Sequence, residues 1–218
     1  MKFLSKTVSV LAVLAALAPA AASAQTPPAN TGAAANVNAV FQDALWQVST
    51  NGGTSWSQAF QVQSPPGVWQ AATAAYSWIS ATPSGSGGGG NYLFRTMFDL
   101  TGYNASTAVM TFQCAIDNYP DASSYFSLNG GAPGGTCGNT YNGYQFAGVN
   151  TVNSGFVSGL NTISFHFVGD GVTDGLVVGD MTLSAARQVT ATPEPATMVL
   201  FATGFVGIVG VARRRRTA

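Results

Sequence analysis

Positive charge is nearly missing from the middle of this 218-residue chain. Residues 25–192 contain no lysine and no glutamate, and two arginines stand against seven aspartates, which leaves a net charge of −5. The whole chain is formally neutral only because six basic residues lie in its two terminal segments. A region so poor in cations offers no electrostatic attraction to nucleic acid or to anionic lipid. Nucleic-acid binding is therefore excluded as its function.

Catalytic and metal-binding residue types are also scarce. The only histidine, His166, falls on the polar face of a predicted strand, and no serine or cysteine nucleophile motif accompanies it. A surface histidine is the better interpretation than a general base. The stretch from Asp170 to Gly175 is oxygen-rich like a calcium loop but lacks EF-hand spacing, and a hairpin turn between the last two strands explains it better. We predict no catalytic residue, no metal site and no cofactor.

The N-terminus has the features of a signal peptide. Two lysines precede an apolar run over 8–18, which a proline ends. Ala22 and Ala24 supply the small residues that signal peptidase requires, so that residues 1–24 are removed and the mature chain begins at Gln25. The alternative, a retained membrane anchor, is disfavoured because the run is short for a membrane span.

Residues 189–218 at the other end contain three ordered elements. A Pro-Glu-Pro tripeptide precedes an uncharged stretch over 196–212, just long enough to cross a membrane, and a block of arginines follows. The positive-inside rule keeps such arginines in the cytoplasm and leaves the tripeptide at the outer face. The residues concerned are Pro193, Glu194 and Pro195 in the tripeptide, and Arg213, Arg214, Arg215 and Arg216 in the block.

This order resembles the PEP-CTERM sorting signal of Gram-negative bacteria, which a membrane-embedded exosortase recognises. The resemblance implies cleavage near the tripeptide and transfer or release of the exported domain to the cell surface or the surrounding matrix. Signal peptidase and exosortase are then the processing partners, and the apolar helix holds the precursor in the inner membrane. A permanent single-span anchor is the alternative.

The region between the two ends divides into a leader and a domain. Residues 25–38 are rich in Pro, Ala and Asn and are predicted to be a flexible leader. Residues 39–188 show short segments of period-two hydrophobicity divided by Gly, Pro and Asn clusters, which is typical of an all-β sandwich or barrel. The predicted strands are 44–49, 55–62, 68–80, 92–100, 106–117, 124–131, 160–168 and 175–184. An Asn-Gly turn predicts a hairpin between the first two, and the whole set fits a two-sheet jelly roll.

A second resemblance covers residues 92–184. The landmarks are FDLTGY at 98–103, Asp117-Asn118, Leu128-Asn129-Gly130 and the run from Gly159 to Thr162. They are similar to those of galactose-binding-like domains, which implies a jelly-roll β-sandwich. Such landmarks indicate a fold better than a ligand.

Cysteine and aromatic residues supply the remaining candidates. Cys114 and Cys137 are the only cysteines, and an oxidising compartment favours a disulfide between them; the alternative is a buried Cys114 and a free Cys137. Most of the four tryptophans are expected in the core. The candidates for stacking on a sugar ring are Trp56, Trp69, Tyr141 and Tyr144.

The sequence as a whole predicts an exported, exosortase-processed protein of the cell surface or extracellular matrix. Weak association with carbohydrate or exopolysaccharide, as in a biofilm, is the expected molecular role, without enzymatic activity. A secreted glycan-active enzyme is the main alternative, although it needs a carboxylic acid of raised pKa and no Asp lies in an apolar run that would raise it. A structural surface protein without a ligand is the third interpretation.

Overall fold

The structure, a computed structural model, describes residues 28–33, 41–117, 124–188 and 199–206 together with Arg213. The predicted signal peptide, the Pro-Glu-Pro tripeptide and the rest of the arginine block lie outside these residues. Residues 199–206 are helical. Within the described ranges, no helix is both long enough and apolar enough to cross a membrane.

One antiparallel sheet contains nine strands of the described chain. The strands are β1 (Gln42–Ser49), β2 (Ser57–Gln61), β3 (Ile79–Ser80), β4 (Gly90–Asp99), β5 (Val109–Asp117), β6 (Tyr125–Leu128), β7 (Asn150–Val152), β8 (Leu160–Gly169) and β9 (Gly175–Ser184). Their order across the sheet is β6-β8-β4-β1-β2-β3-β9-β5-β7. Two short 3-10 turns are Ala105–Thr107 and Thr140–Asn142. The all-β prediction is confirmed.

The sheet curls until its two ends face each other. Phe112 on β5 contacts the rings of Phe126 on β6 and Phe165 on β8, with centroid distances of 5.0 and 5.4 Å. Because β5 and β6 lie near opposite ends of the strand order, these contacts cross the interior. The inward side chains of both halves therefore form one core.

Period-two alternation decides which side chains enter this core. On β4, Phe94, Thr96 and Phe98 are buried, while the residues that alternate with them are more exposed. Phe94 pairs across the ladder with Phe165 and its ring stacks on Phe167 of β8, with centroids 5.8 Å apart. Each such buried side chain contributes about 1.5–3 kcal/mol relative to an exposed one.

The predicted Asn-Gly hairpin is confirmed. Strands β1 and β2 pair antiparallel, with Val48 opposite Ser57. Gly52 and Gly53 in the turn between them have φ angles of 69° and 87°, which glycine adopts without steric cost. The turn chemistry alone was sufficient to predict this local structure.

The strand predicted over 68–80 is wrong except at its end, because only Ile79–Ser80 is a strand. The preceding residues cross the outer face of β5 and β9 instead. There Trp69 and Trp78 are buried against Ala115 and Val177. The tryptophan rings bury their surface against that sheet face, and this packing outweighs the strand propensity of the segment.

The hairpin predicted at residues 170–175 is also wrong. Strands β8 and β9 do not pair, since five places separate them in a nine-strand order, and the connection crosses from one half of the sheet to the other. The buried Asp174 carboxylate shapes this crossing by accepting hydrogen bonds from the backbone N–H groups of Asp170 and Gly171, at 3.0 and 3.3 Å. An Asp residue that binds nearby backbone N–H groups is typical of such turns.

Part of the predicted flexible leader lies against the domain. Residues 28–33 run beside β9, where Thr31 is fully buried. Its hydroxyl donates to the Ser77 carbonyl at 2.7 Å and accepts from the Val178 N–H at 2.9 Å. Gly32, at a φ of +71°, donates to the Asp43 carboxylate at 2.7 Å. The segment thus covers an edge of β9 that would otherwise face solvent.

We predict that Thr31→Val lowers the free energy of unfolding by about 1–3 kcal/mol, because it leaves the buried Val178 N–H without its acceptor while keeping the side-chain volume. Thr54→Val is the matched control, since Thr54 is exposed in the β1–β2 turn. Denaturant unfolding followed by tryptophan fluorescence measures both variants. Equal stability of the two would show that the Thr31 hydroxyl contributes nothing to the stability of the fold.

Candidate functional site

A disulfide anchors the loop that follows β6. Cys114 of β5 and Cys137 are bonded, with Cα atoms 4.9 Å apart. Immediately after the bond, Gly138 extends the sheet at β5: its N–H donates to the Cys114 carbonyl at 2.9 Å and its carbonyl accepts from the Ile116 N–H at 2.7 Å. Residues 139–148, which carry Tyr141 and Tyr144, therefore begin from a rigid base.

This loop and the 62–78 loop form a joint cover over the outer face of β5 and β9. The Gln70 N–H donates to the Tyr144 carbonyl at 3.1 Å, and the Gln145 amide donates to the Val68 carbonyl at 3.1 Å. Trp69 and Trp78 lie under the cover with ring centroids 4.1 Å apart. A Cβ on Gly175 of β9 would come within 3.0 Å of the Trp69 ring, so glycine at this position lets the rings reach the sheet.

Asp117, at the end of β5, lies at the margin of this cover. The Trp69 indole N–H donates to its carboxylate at 2.7 Å, and Tyr144 is a further hydrogen-bond partner. Burial raises the pKa of Asp117 to about 6, and repulsion from Asp170 and Asp174 adds to the rise, while the two hydrogen bonds oppose it. We call Asp117, Trp69 and Tyr144 the Asp117 cluster.

The Asp117 cluster brings together side chains that are far apart in the sequence, and no local sequence pattern predicts it. An Asp inside an apolar run would be recognisable from the sequence, whereas the burial of Asp117 comes from loops that fold back and bring Trp69 and Tyr144 to it. Within the described part of the chain, no group of three or more His, Cys, Asp or Glu side chains could hold a metal ion.

The four aromatic candidates do not form one site. Trp69 is only 4% exposed, so its ring faces are covered by protein rather than open to a sugar. Tyr144 packs against the buried group that contains Trp69 and Trp78. Tyr141 lies in the same loop as Tyr144 and is 78% exposed. Trp56 lies on the other half of the sheet, beside β1 and β4.

Trp56 belongs to an ordered stack on the outward side of that half. The Arg95 guanidinium lies 3.8 Å from the centroid of the indole ring, close enough for a cation–π interaction. The same side chain donates through Nε to the Gln47 amide oxygen at 2.8 Å. Gln47 and Arg95 are direct cross-strand partners on β1 and β4. Two strands and a turn therefore hold the indole, guanidinium and amide groups in place.

The same face continues across β8 and β6. Ser164 is the cross-strand partner of Arg95, and His166 pairs with Tyr125, whose ring centroid is 5.1 Å from that of the imidazole. His166 points outward and is half-buried, in the position that the alternation predicted. We call Gln47, Trp56, Arg95, Tyr125, Ser164 and His166 the outer sheet face. Its members were not recognised from the sequence because cross-strand pairing, not spacing along the chain, makes them neighbours.

Comparison with known proteins identifies the C-terminal segment. Residues 191–216 match a family model described as the PEP-CTERM protein-sorting motif. The match includes the tripeptide, the apolar stretch and the arginine block, and it confirms the predicted sorting signal. The match supports the interpretation of the chain as a PEP-CTERM protein. The motif indicates an exported protein that an exosortase processes. No curated protein and no solved structure matches the chain.

The raised pKa of Asp117 predicts a pH-dependent stability. Its folded-state pKa of about 6 lies above the ordinary 3.8, so its contribution is fully present below pH 3.8 and is lost as the pH rises through about 6. Asp117→Asn should therefore flatten the fall in melting temperature over this range. Asp43, whose pKa burial also raises, keeps part of the slope.

Asp99→Asn is the control for this measurement. The neighbouring Thr101 holds the pKa of Asp99 below its ordinary value, so this group titrates below the relevant range. Melting curves at a series of pH values would contradict the assignment if Asp117→Asn and the wild type showed the same slope between pH 3.8 and 6.

Proposed function

We propose that this chain is an exported, exosortase-processed protein of the cell surface or extracellular matrix whose β domain binds a neutral polysaccharide at the outer sheet face without cleaving it. Support for export comes from the sorting motif at residues 191–216. The observation that carries the binding role is the stack of Trp56, Arg95 and Gln47 on an open sheet surface.

The chemistry of the outer sheet face suits a sugar chain. Sugar rings present C–H faces that pack on aromatic rings and hydroxyl rims that pair with planar amide and guanidinium groups. Trp56 and Tyr125 supply the rings, while Gln47, Arg95 and Ser164 supply hydrogen-bonding groups. Because the members come from four adjacent strands and the β1–β2 turn, the surface is extended enough to contact several successive sugar units.

Charge favours a neutral polysaccharide over an acidic one. Of the six side chains of the outer sheet face, only Arg95 carries a permanent charge, and it already interacts with Trp56 and Gln47. Residues 25–192 have a net charge of −5, which repels a polyanion. A neutral polysaccharide needs no free cation on the protein and is not repelled by the negative net charge.

The second candidate function is a glycan-active enzyme, and the Asp117 cluster favours it. A carboxylic acid with a pKa near 6 is the kind of group that protonates a glycosidic oxygen. The covering of Asp117 by Trp69 and Tyr144 argues for a role in packing instead. The galactose-binding-like jelly roll remains a prediction from sequence resemblance.

We predict that Trp56→Ala weakens binding of the purified chain to neutral polysaccharide about tenfold, because the ring surface and the support of Arg95 are lost together. Affinity electrophoresis in gels containing neutral or acidic polysaccharides measures the effect. Tyr141→Ala is the matched control, since Tyr141 is an exposed aromatic residue on the other half of the sheet, and should bind as the wild type does.

Two results would contradict the binding role. One is equal retardation of wild type and Trp56→Ala in every gel. The other is release of new reducing ends during incubation with the polysaccharide, abolished by Asp117→Asn, which would establish the enzyme.

The sorting role is tested separately in a host that contains an exosortase. Replacing Pro193, Glu194 and Pro195 by alanine should leave an unprocessed precursor in the membrane fraction, because the tripeptide that the enzyme reads is gone. Thr190→Ala, just outside the matched residues, is the control and should be processed normally. Immunoblots of membrane and extracellular fractions give the readout, and normal processing of the triple variant would exclude exosortase recognition.

A further inference from the structure

A cleft lies between β6 and β7, the two end strands of the curled sheet. Its volume is about 320 Å³, at the lower end of the range for small-molecule sites. Residues 131–135 form one wall, residues 151–155 form the other, and the nearly buried Phe126 and Leu128 line its inner side. We call this cleft the seam slot. It is separate from both the outer sheet face and the Asp117 cluster.

Both walls of the seam slot are attached to the sheet. The Gly134 N–H donates to the Phe126 carbonyl at 2.7 Å, and the Gly131 N–H donates to the Leu128 carbonyl at 2.9 Å. A Cβ on Gly134 would collide with the Phe126 ring, so only glycine lets this wall lie so close to β6. On the other side, Thr151 pairs with Thr111 of β5. The slot is therefore shaped before any ligand arrives.

Side chains restrict the seam slot at both ends. At one end the Asn129 amide donates to the Gly155 carbonyl at 2.9 Å and so joins the two walls. At the other end Gly135 lies so close to Asn150 that a Cβ on it would be 2.8 Å from the Asn150 amide oxygen. A long chain cannot run through a slot restricted in this way, but a single unit or a chain end can enter from the open side.

The lining combines apolar and polar groups and is uncharged. Ser127, Thr151, Asn153 and Ser154 contribute hydroxyl and amide groups, and the glycine-rich wall contributes backbone groups. None of the described residues that line the slot carries a charge. Hydroxyl and amide groups both donate and accept hydrogen bonds, which matches a ligand rich in hydroxyl groups rather than an ion.

We propose that the seam slot binds one neutral pyranose unit, presented as the end of a glycan or as a free sugar. An extended peptide fits less well, because residues 131–135 already occupy hydrogen-bonding groups on the edge of β6 to which an added strand would pair. Binding here does not depend on the outer sheet face, so that either site can fail while the other remains.

The test is an NMR titration of the purified, isotope-labelled chain with glucose, galactose and mannose and with their methyl glycosides. Saturable shifts are expected at residues 127–135 and 151–155, while Trp56 and Arg95 stay unshifted. A site for glycan ends accepts the methyl glycoside as well as the free hexose, and a site for free sugars binds only the hexose; either pattern supports the proposal. A short neutral Ala/Ser peptide is the comparison ligand.

Slot-filling variants sharpen the test. Ser154→Trp and Ala132→Trp place a large ring in the slot from opposite exposed walls and should weaken sugar binding about tenfold or more. Ser158→Trp, exposed but outside the lining, is the matched control and should bind normally. The proposal is overturned if no sugar shifts the slot residues, if the peptide alone does so, or if both slot variants bind as tightly as the control.

Discussion

The packing of Phe112 against Phe126 and Phe165 is the contact on which the rest of the structure depends. It holds the two ends of a single sheet face to face and turns the inward side chains into one core. Ligands can therefore meet only the outward faces of the two halves or the gap where the end strands approach. Each of these three surfaces has a different chemistry.

The two outward faces differ because only one of them is covered. Over β5 and β9, the absence of a side chain at Gly175 allows Trp69 and Trp78 to lie on the sheet. The disulfide between Cys114 and Cys137 holds the loop over 139–148 in place beside them. Over β1, β4, β8 and β6 the outward groups remain open, with Trp56 and Arg95 stacked above the strands. Aromatic residues thus cover one face, whereas on the other face Trp56 stacks with Arg95 at an open surface.

Local patterns in the sequence predicted local structure. The Asn-Gly turn and the alternation along β4 and β8 were sufficient for those elements, because turn chemistry and period-two burial act within a few residues. The cover formed by residues 62–78 and the raised pKa of Asp117 were not predictable in this way. They depend on contacts such as Trp69 with Asp117, which only the tertiary fold brings together.

Mapping where a neutral polysaccharide fragment contacts the labelled chain is the most direct test of this division of surfaces. We expect the largest NMR shifts at Gln47, Arg95 and His166, since their strands form the open face. Shifts confined to the covering loop that carries Tyr141 and Tyr144 would contradict it, because they would place binding on the half of the sheet that packing already occupies.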